Sequence, residues 1–320
     1  MNRDWAYVVD RPGEKARTVA RDEACAAFGK AHFVWIHLNG RNNDSLEWLR
    51  EQANLPLRAV GALSAVETRP RGDLLDKGAI INLRGLGETP DDDPDTLVSI
   101  RLWAEAGRVI SISFRTLVAI EQVCGDMADG RILDPGDLIT ALALHITHCL
   151  DPEVARLGDL VDELEASVGN AVIYGARRQI AEARSRAIDF RRFLQPQRAA
   201  LERLSTATTD WLTDEDRDHL REAADRAARM AEETEAIRER SALLHEQLTD
   251  LRTEQIDHRS LVVAMIALIF LPLTFVSGLF GMNVEGIPLK DDPNAFMQIA
   301  IGCCVVAFIM WLVIRWRRWI

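Results

Sequence analysis

The sequence predicts an α+β protein with a mixed α/β head, a long helical stalk and a C-terminal membrane domain of two helices. Three observations predict it. Short apolar runs of strand character recur before residue 135, an uninterrupted heptad repeat follows residue 214, and two long uncharged apolar segments come near the end. About 20 apolar residues are enough to cross a bilayer as a helix. The predicted class is therefore a membrane protein whose larger part lies outside the bilayer.

Residues 1–135 are predicted to form the α/β domain. The strand candidates are residues 6–9, 33–38, 79–83, 97–103 and 108–114, and the helix candidates are residues 18–31 and 45–52. Gly107, between the last two strands, indicates a hairpin turn. Four aspartates between residues 91 and 95 indicate a solvated surface loop, with a cation site as the alternative.

Residues 136–259 are predicted to form a helical stalk. A first helical region, residues 137–194, has an apolar stripe and is expected to end or kink at Pro196. Thr213 lies three residues before Asp216, a spacing typical of a helix N-terminal cap.

The next helix is predicted to run from residue 214 to residue 280, which is about 100 Å at 1.5 Å per residue. Its heptad seam consists of Leu220, Ala223, Ala227, Met230, Thr234, Ile237, Ser241, Leu244, Leu248, Leu251 and Gln255. Several members are small or polar, so the seam is a poor dimer zipper. It suits packing inside a larger bundle, or around a wet central axis.

Residues 260–284 and 293–314 are the predicted transmembrane helices, and neither segment contains a charged side chain. A buried core helix of a soluble protein is the alternative, and it rarely runs this long without a charge. Loop 285–292 has three acids and one lysine, whereas tail 315–320 is basic and aromatic. Because positive charge stays on the cytosolic side, both termini are predicted to be cytosolic and the loop external.

The charge distribution excludes a nucleic-acid partner. The formal net charge is −11, and positions 1–259 carry 34 basic and 46 acidic side chains, a net charge of −12. Nucleic acids call for basic surfaces. The acidic part suits a vestibule that concentrates cations, or an ordinary acidic surface. The five cysteines include no CxxC pair, and the N-terminus has no apolar leader, so the first part is expected in the cytosol.

A path for ions through the bilayer would need several copies of the chain, because two helices cannot enclose one. The seam, projected into the first span at the same spacing, passes through or near residues that are mostly small or hydroxylic. They are Ser260, Ala264, Ala267, Leu271, Thr274 and Gly278. These residues are predicted to line the pore, with small-residue helix packing as the alternative.

Gly281, Met282 and Asn283 follow at the outer end of the first span and resemble the Gly-Met-Asn signature of the CorA superfamily of divalent metal ion transporters. Other segments resemble it too, and the chain is most similar to the ZntB zinc transporter branch. These segments are residues 33–39, 67–71, 102–111, 271–275 and 284–288. The resemblance covers essentially the whole chain.

The resemblance implies a funnel-shaped homopentamer in a bacterial inner membrane. It also implies that Asn283 meets a hydrated cation at the outer mouth, together with Gly281, Met282 and Glu285. Zn²⁺ uptake, possibly coupled to protons, is the implied activity, and a CorA-type Mg²⁺/Co²⁺ channel is the alternative. Glu285 favours that alternative, since magnesium-type members often carry an acid there.

The spans contain no Asp, Glu, His or Lys, and Cys303 and Cys304 lie on the second span. A dehydrated zinc ion needs thiolate, imidazole or carboxylate ligands at about 2 Å. The metal is therefore predicted to pass with much of its water, recognised by Asn283 and main-chain carbonyls near Gly281. No cofactor is expected.

Other signals are less specific. His145 and His148 could share a metal on one helix face, although ordinary histidines are the favoured interpretation. His245 and His258 lie on the long helix near the membrane. No catalytic motif is present, so an enzyme is not expected. A two-span signalling receptor and a structural membrane anchor are the alternatives from other classes.

Overall fold

The computed structural model describes residues 4–65, 68–75, 77–88, 97–167, 173–282, 288 and 293–316. It divides into two compact units, Met1–His245 and Glu246–Ile320. In the described ranges the strands are β1 (Trp5–Val9), β2 (Arg17–Val19), β3 (Phe33–Asn39), β4 (Arg71–Leu75), β5 (Gly78–Leu86), β6 (Leu97–Glu105) and β7 (Arg108–Ser113). The helices are α1 (Arg21–Ala27), α2 (Asn43–Glu51), α3 (Leu57–Ser64), α4 (Ala119–Asp129), α5 (Pro135–Ser167), α6 (Ile173–Ser205), α7 (Asp214–Phe280) and α8 (Ala295–Trp316).

The strands form one mixed sheet in the order β2-β1-β3-β7-β6-β5-β4. Only β3 and β7 pair in parallel among the described strands, and the predicted hairpin joins β6 to β7 with Gly107 at φ 72°. The sheet is covered on both faces, since β3, β5, β6 and β7 are buried almost throughout. On one face, α1, α2 and α3 pack onto β3, β6 and β7 in a single apolar core.

The opposite face of the sheet is covered by α5 and α6. A Cβ at Gly85 would lie 3.2 Å from Ile146 of α5, and one at Gly72 would lie 2.9 Å from Leu204 of α6. The side chain of Gln197 joins α6 to β5, since its Oε1 accepts a hydrogen bond from Arg84 N at 2.7 Å.

Two local predictions were wrong. Thr18 lies in β2, so the first helix begins only at Arg21. The predicted end of a helix at Pro196 is wrong too, because α6 continues to Ser205, while a kink there stays a prediction. Proline removes one hydrogen bond, and the buried Leu194 and Gln197 beside it hold the helix to the sheet face.

The start of α7 has the predicted capping box. Asp216 N donates to Thr213 Oγ1 at 3.1 Å, and Thr213 N donates to Asp216 Oδ2 at 2.8 Å. The helix continues to Phe280 as one element, as the heptad repeat predicted.

The heptad seam of α7 is buried within the chain from Leu220 to Leu244. It packs against α5, where a Cβ at Gly158 would lie 3.8 Å from Ile237 Cδ1. Charged pairs flank it: Arg240 bonds Asp162 of α5, and Arg191 Nε of α6 lies 3.0 Å from Glu235 Oε2. The seam therefore belongs to a bundle inside one chain over this part, which agrees with the first of its two predicted interpretations.

Candidate ion pathway

The described part of the chain contains two helices that are long and apolar enough to cross a membrane, α7 and α8. In the second unit each of these two helices has one stripe of residues that is less exposed than the rest of its surface. On α7 the stripe consists of Met265, Ile269, Pro272 and Val276, and on α8 it consists of Cys303, Ala307, Met310 and Ile314. Both have the spacing of one helix face, and we infer that the two helices pack against each other along these stripes.

The six predicted lining residues are all exposed on α7, and Leu271 is 72% exposed. At about 100° per residue, their face lies about 150° around the helix from the stripe that α8 covers. The six residues therefore do not lie on the face that continues the seam, and the prediction that they do was wrong. Strict alternation of three and four residues from Leu251 leads to Met265 and the covered stripe. The residues predicted to line a pore belong to the part of the helix surface that the described residues leave uncovered.

The C-terminal end of α7 carries Gly281 and Met282, two of the residues predicted to form the mouth. The helix ends at Phe280, Gly281 N donates to Ser277 O at 2.9 Å, and Met282 N donates to Leu279 O at 3.4 Å. Gly281 and Met282 are exposed there. Asn283 and Glu285 lie outside the described residues.

The two glycines near this end have different surroundings. A Cβ at Gly281 would lie 3.1 Å from Ser277 O, closer than a methyl group normally approaches a carbonyl oxygen. A Cβ at Gly278 would meet no atom of the described residues within 4 Å. Gly278 thus leaves room for water or for another molecule beside the helix.

In the last turns of α7, the hydroxyl groups of Thr274 and Ser277 each donate a hydrogen bond to a carbonyl group of the same helix. Thr274 Oγ1 donates to Phe270 O at 2.8 Å, and Ser277 Oγ donates to Thr274 O at 3.0 Å. To a ligand that approaches the helix surface, each exposed hydroxyl group therefore offers only the lone pairs of its oxygen as acceptors. Sequence reasoning missed Ser277; its place three residues after Thr274 on the same helix was the available signal.

The C-terminus of α7 adds further acceptors and negative partial charge at the same place. The last carbonyl groups of a helix lack full partners and carry the negative end of the helix dipole, equivalent to about half an elementary charge. At α7 that end points toward Gly281 and Met282. Acceptors and a negative pole at one place favour a cation and disfavour an anion.

The histidine signals do not form a metal site. Among the described residues, no group of three His, Cys, Asp or Glu side chains could hold a metal ion. His145 Nε2 lies 2.6 Å from Asp126 Oδ2, and Arg131 occupies the other oxygen of that carboxylate at 2.9 Å. His148 is exposed, as is His258 on α7, whereas His245 is half-buried.

The chain combines an α/β domain with two helices, α7 and α8, that are long and apolar enough to cross a membrane, as in a two-span membrane protein. The chain belongs to the family described as CorA-like Mg²⁺ transporter protein, which matches residues 30–317. This family is one of ion transporters, and the predicted family and fold class are confirmed.

Individual relatives cover nearly the whole chain. The divalent cation transporter CmaX of Pseudomonas aeruginosa is 32% identical over 99% of this chain and 96% of its own length. The zinc transport protein ZntB of Klebsiella pneumoniae subsp. pneumoniae is 31% identical over 94% of this chain and 91% of its own length.

Solved structures agree in fold. The structure of the full-length CmaX protein matches with a TM-score of 0.82 and 31% identity, covering 100% of this chain and 99% of that one. The complete CorA magnesium transporter from Methanocaldococcus jannaschii matches with a TM-score of 0.83 at 16% identity, covering 100% of this chain and 99% of that one. The second likeness concerns the fold alone.

Proposed function

We propose that this chain is a subunit of a homopentameric, funnel-shaped transporter that takes hydrated divalent cations, Zn²⁺ in particular, across the bacterial inner membrane. Both termini lie in the cytosol. The observation that carries the proposal is the outer end of α7, where the exposed hydroxyl groups of Thr274 and Ser277 offer only acceptors directly before Gly281 and Asn283.

A hydrated cation presents the hydrogen atoms of its water, so its natural partners are acceptors. The Asn283 amide oxygen and the last carbonyl groups of α7 supply them at the mouth. Thr274 supplies a hydroxyl acceptor one level deeper. Five copies around one axis would multiply both the acceptors and the negative helix poles.

The exposure of the predicted lining residues on α7 supports their place beside the pathway. Ser260, Ala264, Ala267, Leu271, Thr274 and Gly278 are proposed to face the pathway, while α8 covers the opposite side. Small side chains leave room for the water that the ion keeps. Leu271 is the largest of the six and forms the narrow apolar point, where dewetting can close the path.

Zinc is favoured because the relatives named ZntB are zinc transport proteins. The alternative is a Mg²⁺/Co²⁺ channel, which the family description and the acid at Glu285 support. Proton coupling is part of the proposal, and it must use groups at the ends of the spans, because the spans themselves hold no carboxylate or histidine. A two-span receptor loses its support because the family is one of transporters.

Flux into liposomes tests the proposal. The purified chain would be reconstituted with Zn²⁺, Mg²⁺, Co²⁺ or Ni²⁺ outside, at several pH gradients. Asn283→Ala removes the amide oxygen and Gly281→Ala crowds Ser277 O, so both should reduce flux at least tenfold with the oligomer intact. Gln298→Ala, which removes an exposed amide from α8, is the matched control. Undiminished uptake by Asn283→Ala would rule out the proposed mouth.

A further inference from the structure

Helix α6 exposes an isoleucine between two arginines. Arg184, Ile188 and Arg192 follow one another at intervals of four residues, so they lie along one face of the helix. All three are exposed, and Ile188 is 45% exposed. In the described part of the chain neither arginine forms an ion pair; the Arg192 guanidinium lies 5.5 Å from the ring centroid of Phe193. These three residues are called the basic triplet.

Helix α5 carries the opposite pattern at the same spacing. Asp151, Ala155 and Asp159 are exposed and four residues apart, and they are called the acidic triplet. Neither aspartate forms an ion pair with a described residue. Instead they lie beside Glu233 of α7, whose pKa is raised by burial and then by the charges of Asp151 and Asp159. No described residue therefore neutralises the acidic triplet.

Neighbouring charges on the same helices do find partners inside the chain. Asp162 of α5 bonds Arg240, and Arg191 of α6 bonds Glu235. Among the described residues, the charges of the basic and acidic triplets thus remain unpaired. The basic triplet surrounds Ile188, and the acidic triplet surrounds Ala155. An isoleucine fits against an alanine, and each outer arginine then meets an aspartate.

The two triplets also lie at similar levels along the helical hairpin. At 1.5 Å per residue, Ala155 lies about 18 Å before the end of α5 at Ser167, and Ile188 lies about 22 Å after the start of α6 at Ile173. The two levels therefore differ by about 4.5 Å along the helices. A rotation that carries one copy into the next can bring the triplets together with little sliding along the helices.

We propose that the acidic triplet of one copy docks against the basic triplet of the next copy, with Ile188 seated on Ala155 between two ion pairs. The contact is head-to-tail, because the two surfaces differ, and head-to-tail contacts that close form rings. It rests on the proposed oligomeric transporter and adds a cytosolic contact to it. The ion pairs set the register and select the partner more than they add affinity.

Charge reversal tests the register. Arg184→Glu with Arg192→Glu, or Asp151→Arg with Asp159→Arg, places like charges opposite each other. Either pair of changes should raise the dissociation constant of the oligomer in detergent about tenfold at low salt, and less at high salt. Combining all four changes should restore it. Arg178→Glu, whose arginine bonds Glu182 on its own helix, is the control. Unchanged dissociation in both reversed proteins, or no restoration, would overturn the proposal.

Disulfide trapping between two differently tagged chains gives an independent measurement. One chain carries Ala155→Cys, the other Ile188→Cys, and both are coexpressed and oxidised with air and copper phenanthroline. A band containing both tags is expected at a level above that of wild-type pairs, which report the native cysteines. Its absence from an oligomer that transports metal would refute the docking while leaving the proposed function standing. A protein that transports metal as a monomer would refute both.

Discussion

Glu285 is the carboxylate nearest in sequence to the proposed mouth. In a ring of five copies the Glu285 carboxylates would repel one another, and this repulsion would raise their pKa values. Some of them would then be protonated at mildly acidic external pH, and an arriving cation would displace those protons. Glu285→Gln should therefore lower the apparent metal affinity and flatten the dependence of uptake on external pH, with less effect on the maximal rate. Uptake at two external pH values and two ionic strengths measures this.

The alternative for Glu285 is a solvated loop acid that only enriches cations nearby, an effect that salt screens. In that case wild type and Glu285→Gln would show the same pH profile and differ only at low ionic strength. Such a result would remove Glu285 from proton coupling.

His37 makes the stability of the first unit depend on pH. It lies in the core of the sheet, with Nδ1 2.8 Å from Ser111 Oγ and Nε2 3.1 Å from Ser113 Oγ, and burial lowers its pKa to about 3. An unfolded histidine titrates near pH 6.5. The unfolded state therefore takes up the proton first, and the free energy of unfolding falls as the pH drops from about 6.5 toward 3.

His37→Gln should reduce this acid-induced loss of stability between pH 7 and pH 4. The measurement is the Tm of the detergent-solubilised chain at each pH. His148→Gln, which removes an exposed histidine, is the control and should leave the pH profile unchanged. Parallel profiles for wild type and His37→Gln would show that other groups govern the acid response.

At the scale of elements, the buried seam of α7 holds the three-helix bundle together. Ile237 is 2% exposed, so Ile237→Ala should lower the free energy of unfolding by about 2–5 kcal/mol through lost burial and a cavity. Leu57 is 90% exposed, and Leu57→Ala should change it by less than about 0.5 kcal/mol. The measurement is the thermal unfolding of this chain with Ile237→Ala and, as the control, with Leu57→Ala. Equal losses would mean that the seam is not the stabilising contact.

The sequence predicted the elements whose pattern is long or strongly apolar. The heptad repeat predicted α7 from its cap to its end, because period and length leave no competing interpretation. Strands β2 and β4 were missed, since β2 is very short and β4 includes Gly72 and Asp73, so neither gives a clear alternation. Their strand state depends on pairing with β1 and β5, which only the tertiary structure provides.

The candidate site was predictable in part for a similar reason. A helix of 3.6 residues per turn fixes which residues share a face, so the set from Ser260 to Gly278 was found as one group. Which part of the helix surface stays uncovered depends on where α8 packs, and the spacing of the seam does not give this, because its strict continuation leads to Met265 and the less exposed stripe. The hydroxyl bonds of Thr274 and Ser277 depend on side-chain rotamers and could not be predicted from spacing.

At the scale of the whole molecule, the proposed pathway needs several copies of the chain. Native mass measurement in detergent should give five times the 35.9 kDa of one chain in the species that transports metal. Asn283→Ala should have the same mass, which separates loss of the mouth from loss of assembly. A transport-competent species of one or two chains would contradict the pentamer.

The order of the two units along the chain has a consequence for biosynthesis. The first apolar segment begins only after residue 259, when the strands of the sheet and the buried part of the α7 seam have already been translated. At about 5–20 residues per second, the second unit, Glu246–Ile320, takes about 4–15 s to synthesise. The first unit can therefore start to fold before the first of the two apolar segments of this sequence has emerged from the ribosome, so these two helices enter the membrane late in synthesis.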